Sequence, residues 1–402
     1  MDRVRRIVTR CAGSVGLLLV PTLLSLTAVD AGANPGFARK FGFSCAMCHD
    51  GFPKLNAFGE TFARNGYQFP GGDVSAASES YGDSNLHLEK ALNLAVRVDA
   101  FLRYRADGPV HSDIETPFLA KLFVTGYLAK NVTFYSYFLA DEAGQVVGFE
   151  DAFLYLNNLL GQDLDLQIGQ FQVMDSVYSR EQRLTFQDIE IYLAHMGASV
   201  FELTYQRGFQ AGYGIGPFDA VAGVVNGNGI GQSDAAGNFD DNTPKDIYGR
   251  LGAAAGPVTA GFFGYRGNEV ETSSGRSNGL TRYGPDLRVR NAIPGLDLRA
   301  QWLVGRDQNP DFTAPTAGAR ISGGFAELTY RIGVDWTAVL LYNRVVTTAH
   351  PTGERNLATA NVTHYFLRNL KGFLEYTHDL QRLAPAHPEK TDTAIAALVF
   401  AF

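Results

Sequence analysis

Two cysteines and a histidine form the clearest chemical motif of this 402-residue chain, Cys45-Ala46-Met47-Cys48-His49. In an exported protein, this spacing is typical of covalent haem attachment. Each thiol can add to one vinyl group of a haem, and the histidine that follows can bind the iron. The motif therefore predicts one covalent haem c, attached through Cys45 and Cys48, with His49 as the proximal axial ligand.

Two other chemistries use cysteines at this spacing. A disulfide or thioredoxin-like redox pair needs no haem, but it leaves His49 unexplained, and the βαβ setting of a thioredoxin-like site is absent. A structural zinc site needs about four ligands, and the chain has only one further cysteine, Cys11. Haem attachment accounts for all three motif residues, whereas the disulfide and the metal site remain as alternatives.

Aromatic residues surround the motif in a way that suits a bound cofactor. Leu55, Phe58 and Phe62 are spaced as one face of a short helix after Pro53. A segment of this size is too small to fold alone without a cross-link or cofactor. We expect the haem to form its core, surrounded by the phenylalanines of the segment: Phe37, Phe41, Phe43, Phe52, Phe58 and Phe62.

The first 33 residues are typical of a cleaved secretory signal peptide. A basic start is followed by a mostly apolar stretch at 15–28 and by the small residues Ala31-Gly32-Ala33. We expect cleavage after Ala33 and loss of Cys11. The formal net charge of the chain is −7, which argues against nucleic acid as a partner because nucleic-acid binding needs basic patches.

From about Leu86 the apolar residues recur with a period of two. Within 92–105 one face is almost entirely apolar and the other is mainly polar, and 163–168 and 296–302 alternate in the same way. Alternation over about ten residues, repeated along the chain, is the signature of a membrane β-barrel. The pattern predicts strands near 92–105, 117–128, 131–140, 147–158, 163–172, 198–207, 210–226, 245–254, 258–266, 280–290, 295–305, 320–330, 334–345, 356–366, 370–380 and 391–402.

These strands number about sixteen, an even number, as in bacterial outer-membrane barrels. Strand-like residues at 181–195 could change the count by two. Short links such as Ala129-Lys130, 207–209 and Ala255-Gly256-Pro257 alternate with long ones, which predicts short periplasmic turns and long external loops. The last strand carries Leu398, Phe400 and Phe402 on one face, and this pattern resembles the recognition signal of outer-membrane assembly.

The predicted fold class is all-β: a transmembrane antiparallel β-barrel of about 16 strands, preceded by a small helical haem segment that we expect to plug the lumen. The expected divisions are a signal peptide at 1–33, a monohaem cytochrome c segment at 34–85 and a porin-like barrel at 86–402. A barrel of this size encloses a wide lumen instead of a packed core. The expected location is the bacterial outer membrane, in contact with its lipid.

The residues around the haem motif resemble a known family, the fused outer-membrane monohaem cytochrome–porins. The resemblance rests on Pro35-x-Phe37-Ala38-Arg39, Gly42-x-Ser44-Cys45-x-x-Cys48-His49, Phe52-Pro53-x-Leu55-Asn56-x-Phe58-Gly59 and Gly66-Tyr67. The best-known members oxidise ferrous iron at the cell surface. The resemblance implies an outer-membrane electron conduit with an oxidoreductase role, but it does not fix the donor.

We therefore expect one-electron transfer from extracellular Fe(II), or another reduced donor, through the haem to a periplasmic c-type cytochrome. Lumen carboxylates such as Asp163 and Asp165 could attract Fe²⁺, although carboxylates in a lumen are more often ordinary hydrated residues. The alternatives are a diffusion porin with a structural or sensory haem and a peroxidase-like or gas-binding haem. Both remain compatible with the motif.

The sequence does not determine the distal iron ligand. Methionine or histidine would each keep the iron six-coordinate, and a methionine ligand would raise the reduction potential. Met47 lies inside the attachment loop and cannot reach the opposite side of the iron. The candidates for the distal ligand are His87, Met174, His195 and Met196.

Overall fold

The computed structural model describes residues 36–69, 78–79, 82–83, 85–86, 88–90, 93–240, 242–348, 353–381 and 391–402. The predicted signal peptide, Cys11 and the candidate ligand His87 lie outside these residues. The segment 36–69 contains helix α1 (Gly36–Phe41), a 3₁₀ turn (Cys45–Met47), the paired short strands β1 (His49–Gly51) and β2 (Lys54–Leu55), and helix α2 (Ala57–Arg64). In the described part of the chain, no helix has the length and apolar character needed to cross a membrane.

Helix α2 differs slightly from its prediction. It begins after Asn56, whose side-chain oxygen accepts a hydrogen bond from the Gly59 amide at 2.9 Å and so caps the helix. Leu55 therefore precedes the helix, in β2. The predicted apolar face is reduced to Phe58, which is exposed, and Phe62, which is buried.

Sixteen antiparallel strands follow the short pair β3 (Ser78–Glu79) and β4 (Leu88–Glu89), and they close into a barrel. They are β5 (Asn93–Arg105), β6 (Ser112–Ala129), β7 (Val132–Glu142), β8 (Gly148–Leu156), β9 (Leu164–Gln172), β10 (Tyr205–Ile215), β11 (Phe218–Val225), β12 (Asp246–Ala255), β13 (Val258–Glu271), β14 (Arg276–Ile293), β15 (Leu296–Asp307), β16 (Ala319–Ile332), β17 (Trp336–Thr347), β18 (Arg355–Leu367), β19 (Leu370–Asp379) and β20 (Thr393–Ala401).

Pairing between β20 and β5 closes the barrel, so no strand edge is left open. Their register runs from Thr393 opposite Arg105 to Ala401 opposite Arg97. The outer surface carries large exposed apolar side chains, among them Phe400 and Phe402. The inner surface is largely polar: on β15, Asp297, Arg299 and Gln301 are buried inside, as the alternation predicted.

The predicted alternation of short turns and long loops is confirmed for most of the links. We call the rim at which β5 begins and β20 ends the terminal rim. Most links at the terminal rim are short, for example Gly256-Pro257 between β12 and β13, and most links at the opposite rim are long. The exceptions at the opposite rim are 143–147 between β7 and β8, which is shorter than the terminal-rim link 157–163, and 272–275 between β13 and β14, where both strands extend beyond their predicted ends.

One predicted strand is wrong, although the total of sixteen is right. Residues 198–204 lie outside any strand, and the predicted short link at 207–209 lies inside β10. The actual turn is Gly216-Pro217, where Gly216 adopts φ +57°, a conformation that favours glycine. A Gly-Pro pair is a turn signal, and the equivalent pair Gly256-Pro257 marked a predicted turn correctly.

The long connection between β9 and β10, residues 173–204, folds into the lumen. We call it the lumen loop. It contains helix α3 (Glu190–Leu193) but no strand, so the strand-like pattern at 181–195 has another cause. Its apolar residues fill space against the inner wall, and the fully buried ones include Met174, Ile189, Tyr192, Met196 and Phe201.

Polar contacts hold the lumen loop to several strands of the wall. The backbone amides of Phe186 and Gln187 donate to the two oxygens of Glu375 on β19, at 2.7 and 2.8 Å. Tyr178 donates to Glu327 on β16 at 2.7 Å, and Tyr192 donates to Gln301 on β15 at 2.6 Å. Because these anchors lie on separate strands, the loop extends across the lumen.

Within the lumen loop, Asp188 receives charge-assisted hydrogen bonds from Arg180 and pairs with Arg183, both at 2.5 Å. Burial opposes ionisation of this carboxyl, but the two guanidinium groups hold the pKa of Asp188 well below its usual range. A carboxyl with a depressed pKa contributes stability above its unfolded-state pKa, and the contribution is lost as the pH falls through the folded-state pKa.

Asp188→Asn is expected to leave the two arginines unpaired and to destabilise the loop by about 3 kcal/mol. This corresponds to roughly hundredfold faster amide exchange across 180–192 at pH 7. Hydrogen-exchange mass spectrometry of wild type and variant measures the difference, which should hold down to about pH 4 and shrink at lower pH. An equal exchange rate at pH 7 would contradict this role for Asp188.

Candidate functional site

The attachment motif forms one tight turn with both thiols on the same cavity. The amides of Met47 and Cys48 donate to the carbonyls of Ser44 and Cys45, at 2.9 and 3.1 Å. Cys45 is buried, Cys48 is partly buried, and no disulfide joins them. Burial raises the pKa of both thiols. Two free thiols that face one cavity suit attachment to a single planar group.

His49 follows the turn with its ring orientation fixed. Its Nδ1 donates a hydrogen bond to the Pro53 carbonyl at 3.0 Å, which leaves Nε2 with a free lone pair. Burial lowers the pKa of His49, which favours the neutral ring. A neutral imidazole whose other nitrogen donates to a carbonyl is the usual arrangement of a metal-binding histidine.

Asn56 connects the attachment turn to helix α2. Besides capping the helix, its side-chain amide donates to the carbonyls of Ala46 and Met47, at 3.3 and 3.0 Å, and its backbone amide donates to Cys48 at 2.9 Å. Gly59 allows the helix to approach, because a Cβ atom there would lie 2.1 Å from the Cys48 carbonyl oxygen. The helix therefore sets the position of the cysteine turn.

Closely packed aromatic rings form one wall of the cavity. Phe62 lies 5.3 Å from Phe37 and 5.8 Å from Phe41, both edge to face, and Phe69 lies 4.9 Å from Phe41. Phe69 was not among the phenylalanines predicted from the sequence. Phe43 belongs to the same wall, 6.0 Å from Phe41, whereas Phe58 contacts Phe69 at 6.2 Å from outside the cavity. Phe52 lines the cavity apart from this wall, 6.2 Å from the His49 ring and near Lys371 of the barrel.

The cavity has a volume of about 680 Å³ and extends from the attachment motif into the lumen. Pockets of roughly 300–1,000 Å³ hold cofactors and similar small molecules. The free thiols, the oriented imidazole and the aromatic wall fit a haem c, and Cys45, Cys48 and His49 would hold it. The barrel itself is closed by strand pairing and does not depend on a haem.

Gly66 and Tyr67 end helix α2 in left-handed conformations, with φ +63° and +57°. A Cβ atom at Gly66 would lie 2.6 Å from the Asn157 side chain, so only glycine fits. The turn stacks Tyr67 between Phe37 at 5.3 Å and Tyr135 of β7 at 5.1 Å. Tyr67 thereby joins the aromatic wall of the cavity to the barrel.

Ion pairs connect the segment 36–69 to lumen-facing side chains on several strands. Glu60 pairs with Arg288 at 2.6 Å and with Arg290, both on β14, and Lys54 pairs with Asp297 on β15 at 3.0 Å. Polar contacts on other strands include Gln68 to Thr133 on β7, Tyr155 on β8 to the Arg64 carbonyl, and Tyr365 on β18 to the Phe52 carbonyl.

None of the described distal-ligand candidates lies on the cavity. Met174 and Met196 are buried in the apolar cluster between the lumen loop and the wall, and His195 is exposed. Among the described residues that line the cavity, His49 is the only histidine and methionine is absent. The assignment of a distal ligand from the sequence therefore stays a prediction, and His87 lies outside the described residues.

Asp163 and Asp165, the carboxylates expected to attract cations, have protein partners. Asp165 accepts hydrogen bonds from Tyr155 at 2.8 Å and from the Asn158 amide at 3.0 Å, and Asp163 lies 3.7 Å from Arg64. The same cavity is lined by carboxylates that sequence reasoning missed: Asp151, Asp175 and Glu181. The described residues contain no group of three or more histidine, cysteine, aspartate or glutamate side chains that could hold a metal ion.

No family model and no curated protein matches the chain. Solved structures do match. OmpF of Salmonella typhi, in complex with daunomycin, aligns with a TM-score of 0.56 at 11% identity, over 79% of this chain and 98% of its own. An anion-selective porin from Comamonas acidovorans aligns with a TM-score of 0.54 at 14% identity, over 78% of this chain and 99% of its own.

A third match is in-vitro folded OmpT of Vibrio cholerae in its trimer form, at a TM-score of 0.54 and 10% identity, over 78% of this chain and 99% of its own. Identities this low show the fold alone. The chain has the 16-stranded barrel of bacterial outer-membrane porins, which supports an outer-membrane location.

Asn56→Ala is expected to loosen the cysteine turn, because it removes the helix cap and both bonds to the turn. Loss of such a cap costs about 1 kcal/mol. The fraction of purified chain that keeps haem absorbance after denaturation should therefore fall. Thr61→Ala, an exposed position on the same helix, is the matched control. Equal haem content in the two variants would contradict the positioning role of Asn56.

Proposed function

We propose that the chain is an exported outer-membrane electron carrier with one haem c. Electrons would come from an extracellular reduced donor, Fe(II) being the leading candidate, and would leave to a periplasmic c-type cytochrome. The observation that carries this proposal is the pairing of two free thiols with a neutral, oriented His49 on a cavity that reaches the lumen of a porin-type barrel. A diffusion pore alone requires none of these features.

The haem would supply one-electron redox chemistry. Cys45 and Cys48 would attach it and His49 would bind its iron, while the Pro53 carbonyl keeps the imidazole in the required orientation. The phenylalanine wall would exclude water from one side of the cavity. Each Fe²⁺ that becomes Fe³⁺ gives up one electron, which the periplasmic acceptor receives.

We further propose that the segment 36–69 plugs the terminal, periplasmic end of the lumen. Its ion pairs and hydrogen bonds reach β7, β8, β14, β15 and β18, which lie around the barrel wall. A plug at this end would bring the attachment motif within reach of a soluble acceptor. The open part of the lumen would then admit a small donor from the other side.

A second candidate function is a diffusion porin with a structural or sensory haem. It is favoured by the solved structures of similar fold, one of which is described as an anion-selective porin. Planar-bilayer conductance of the haem-loaded protein separates the two functions. Steady single-channel conductance as large as that of open porins would favour the porin, whereas the plug predicts much smaller currents.

The electron-carrier proposal predicts that Fe²⁺ reduces the haem-loaded ferric protein, because an iron oxidase must accept the electron directly. Anaerobic stopped-flow absorbance measures this step, and oxidation by a c-type cytochrome measures the next. A Cys45→Ala, Cys48→Ala double variant, which should insert as a barrel without bound porphyrin, is the control. Absence of spectral change with Fe²⁺ would remove iron as the donor, and a porphyrin-free native chain would overturn the proposal as a whole.

A further inference from the structure

We propose that Asp151 and Asp175 form a binding site for a divalent metal cation in the lumen, beside the cavity that contains the attachment motif. The cation class is one that prefers oxygen ligands, such as Mn²⁺ or Fe²⁺. That the ferrous donor binds at this site rests on the proposed function. That the site binds a divalent cation does not depend on the proposed function.

Asp151 lies on β8 and is 5% exposed, and its Oδ1 atom has no hydrogen-bond partner within the described residues. An ionised carboxylate that is buried without a partner is costly. The residue nevertheless lines the cavity, so a bound ion could reach it. The Oγ atom of Ser176, also on the cavity, is likewise buried without a partner there.

Asp175 belongs to the lumen loop and lines the same cavity, where its side chain is exposed. Asp151 interacts electrostatically with Asp175, Glu181 and Glu150, so negative charge accumulates at this place. A divalent cation would neutralise this charge.

The nearby protein cations are already engaged by other carboxylates. Lys121 pairs with Glu181 at 2.9 Å and lies 3.7 Å from Glu150. Arg97 makes two hydrogen bonds to Asp99, at 2.8 and 2.6 Å. A third cation, Arg180, is held by Asp188. In the described part of the chain, Asp151 and Asp175 are thus left without an ion pair.

Two carboxylates are enough for a cation that keeps part of its water shell. Small divalent cations commonly bind through one or two carboxylates and retain several waters. The described residues contain no group of three ligands in metal-binding geometry, so the site would be of this partly hydrated kind. Such a site binds and releases its ion readily, as a substrate site must.

Aromatic contacts link the proposed cation site to the attachment motif. Tyr137 lies opposite Asp151 in the β7–β8 register, and Tyr135 is its neighbour on the same face of β7. Tyr135 stacks on Tyr67, which stacks on Phe37 of the cavity wall. A donor held at Asp151 would therefore lie within the packed surroundings of the haem segment and not in open solvent.

The test titrates Mn²⁺ into the haem-loaded full-length protein in detergent and follows the electron paramagnetic resonance signal of free Mn²⁺. We expect one site per chain, weakened by about tenfold or more in Asp151→Asn and in Asp175→Asn. Asp163→Asn, which removes another carboxylate from the same cavity, should bind as wild type does. Asp175 lies on the loop, so its variant tests the site even if Asp151→Asn does not fold.

Stopped-flow reduction by Fe²⁺ and by dithionite, an anionic reductant, completes the test. Both aspartate variants should slow reduction by Fe²⁺ by about tenfold, and reduction by dithionite should be unchanged. Wild-type binding of Mn²⁺ in both variants, or no binding in wild type, would overturn the site. If Mn²⁺ binds as expected but Fe²⁺ does not reduce wild type, the cation site stands and the iron-oxidising function fails.

Discussion

The hydrogen-bonding demand of the backbone is the constraint on which the rest of this structure depends. In a membrane, each strand must find partners on both sides because lipid offers none. The pairing of β20 with β5 meets that demand by closing sixteen strands into one barrel. Closure at sixteen strands then creates a lumen too wide for the wall side chains to fill, so other parts of the chain can enter it.

The charged residues of the lumen follow from the same constraint. Side chains that alternate inward can be charged only where they find water or a partner of opposite charge. Arg282 and Asp307, both buried, pair at 2.6 Å, and Arg250 pairs with Asp286 at 2.7 Å. The segment 36–69 also forms ion pairs with the wall, because Glu60 and Lys54 pair with wall residues of opposite charge. Asp151 differs, because its buried Oδ1 atom has no hydrogen-bond partner within the described residues.

The lumen loop and the cysteine segment meet at one cavity but are held in different ways. The loop is held by buried apolar side chains and by bonds to wall carboxylates, such as that of Glu375. The segment is small, and its internal order depends on local contacts, among them the hydrogen bonds of Asn56. A covalent cofactor would add buried apolar surface, which a segment of this size lacks, since small domains bury too little surface to be stable alone.

The sequence by itself determined the all-β barrel and its sixteen strands, and it placed two cysteines and a histidine together at 45–49, because these features depend on a period of two and on local spacing. The same local pattern was misleading at 198–204 and 181–195, where apolar alternation comes from burial inside the lumen and not from contact with lipid. Only the tertiary structure decided that the loop turns inward, which places Met174 and Met196 in a buried apolar cluster and not on the cavity. It also decided which carboxylates have partners: Asp165 looked available in the sequence but is bonded to Tyr155, whereas the Oδ1 atom of Asp151 has no hydrogen-bond partner among the described residues. The physical reason is that partners of lumen side chains come from strands and loops far apart in the chain, and no local pattern records them.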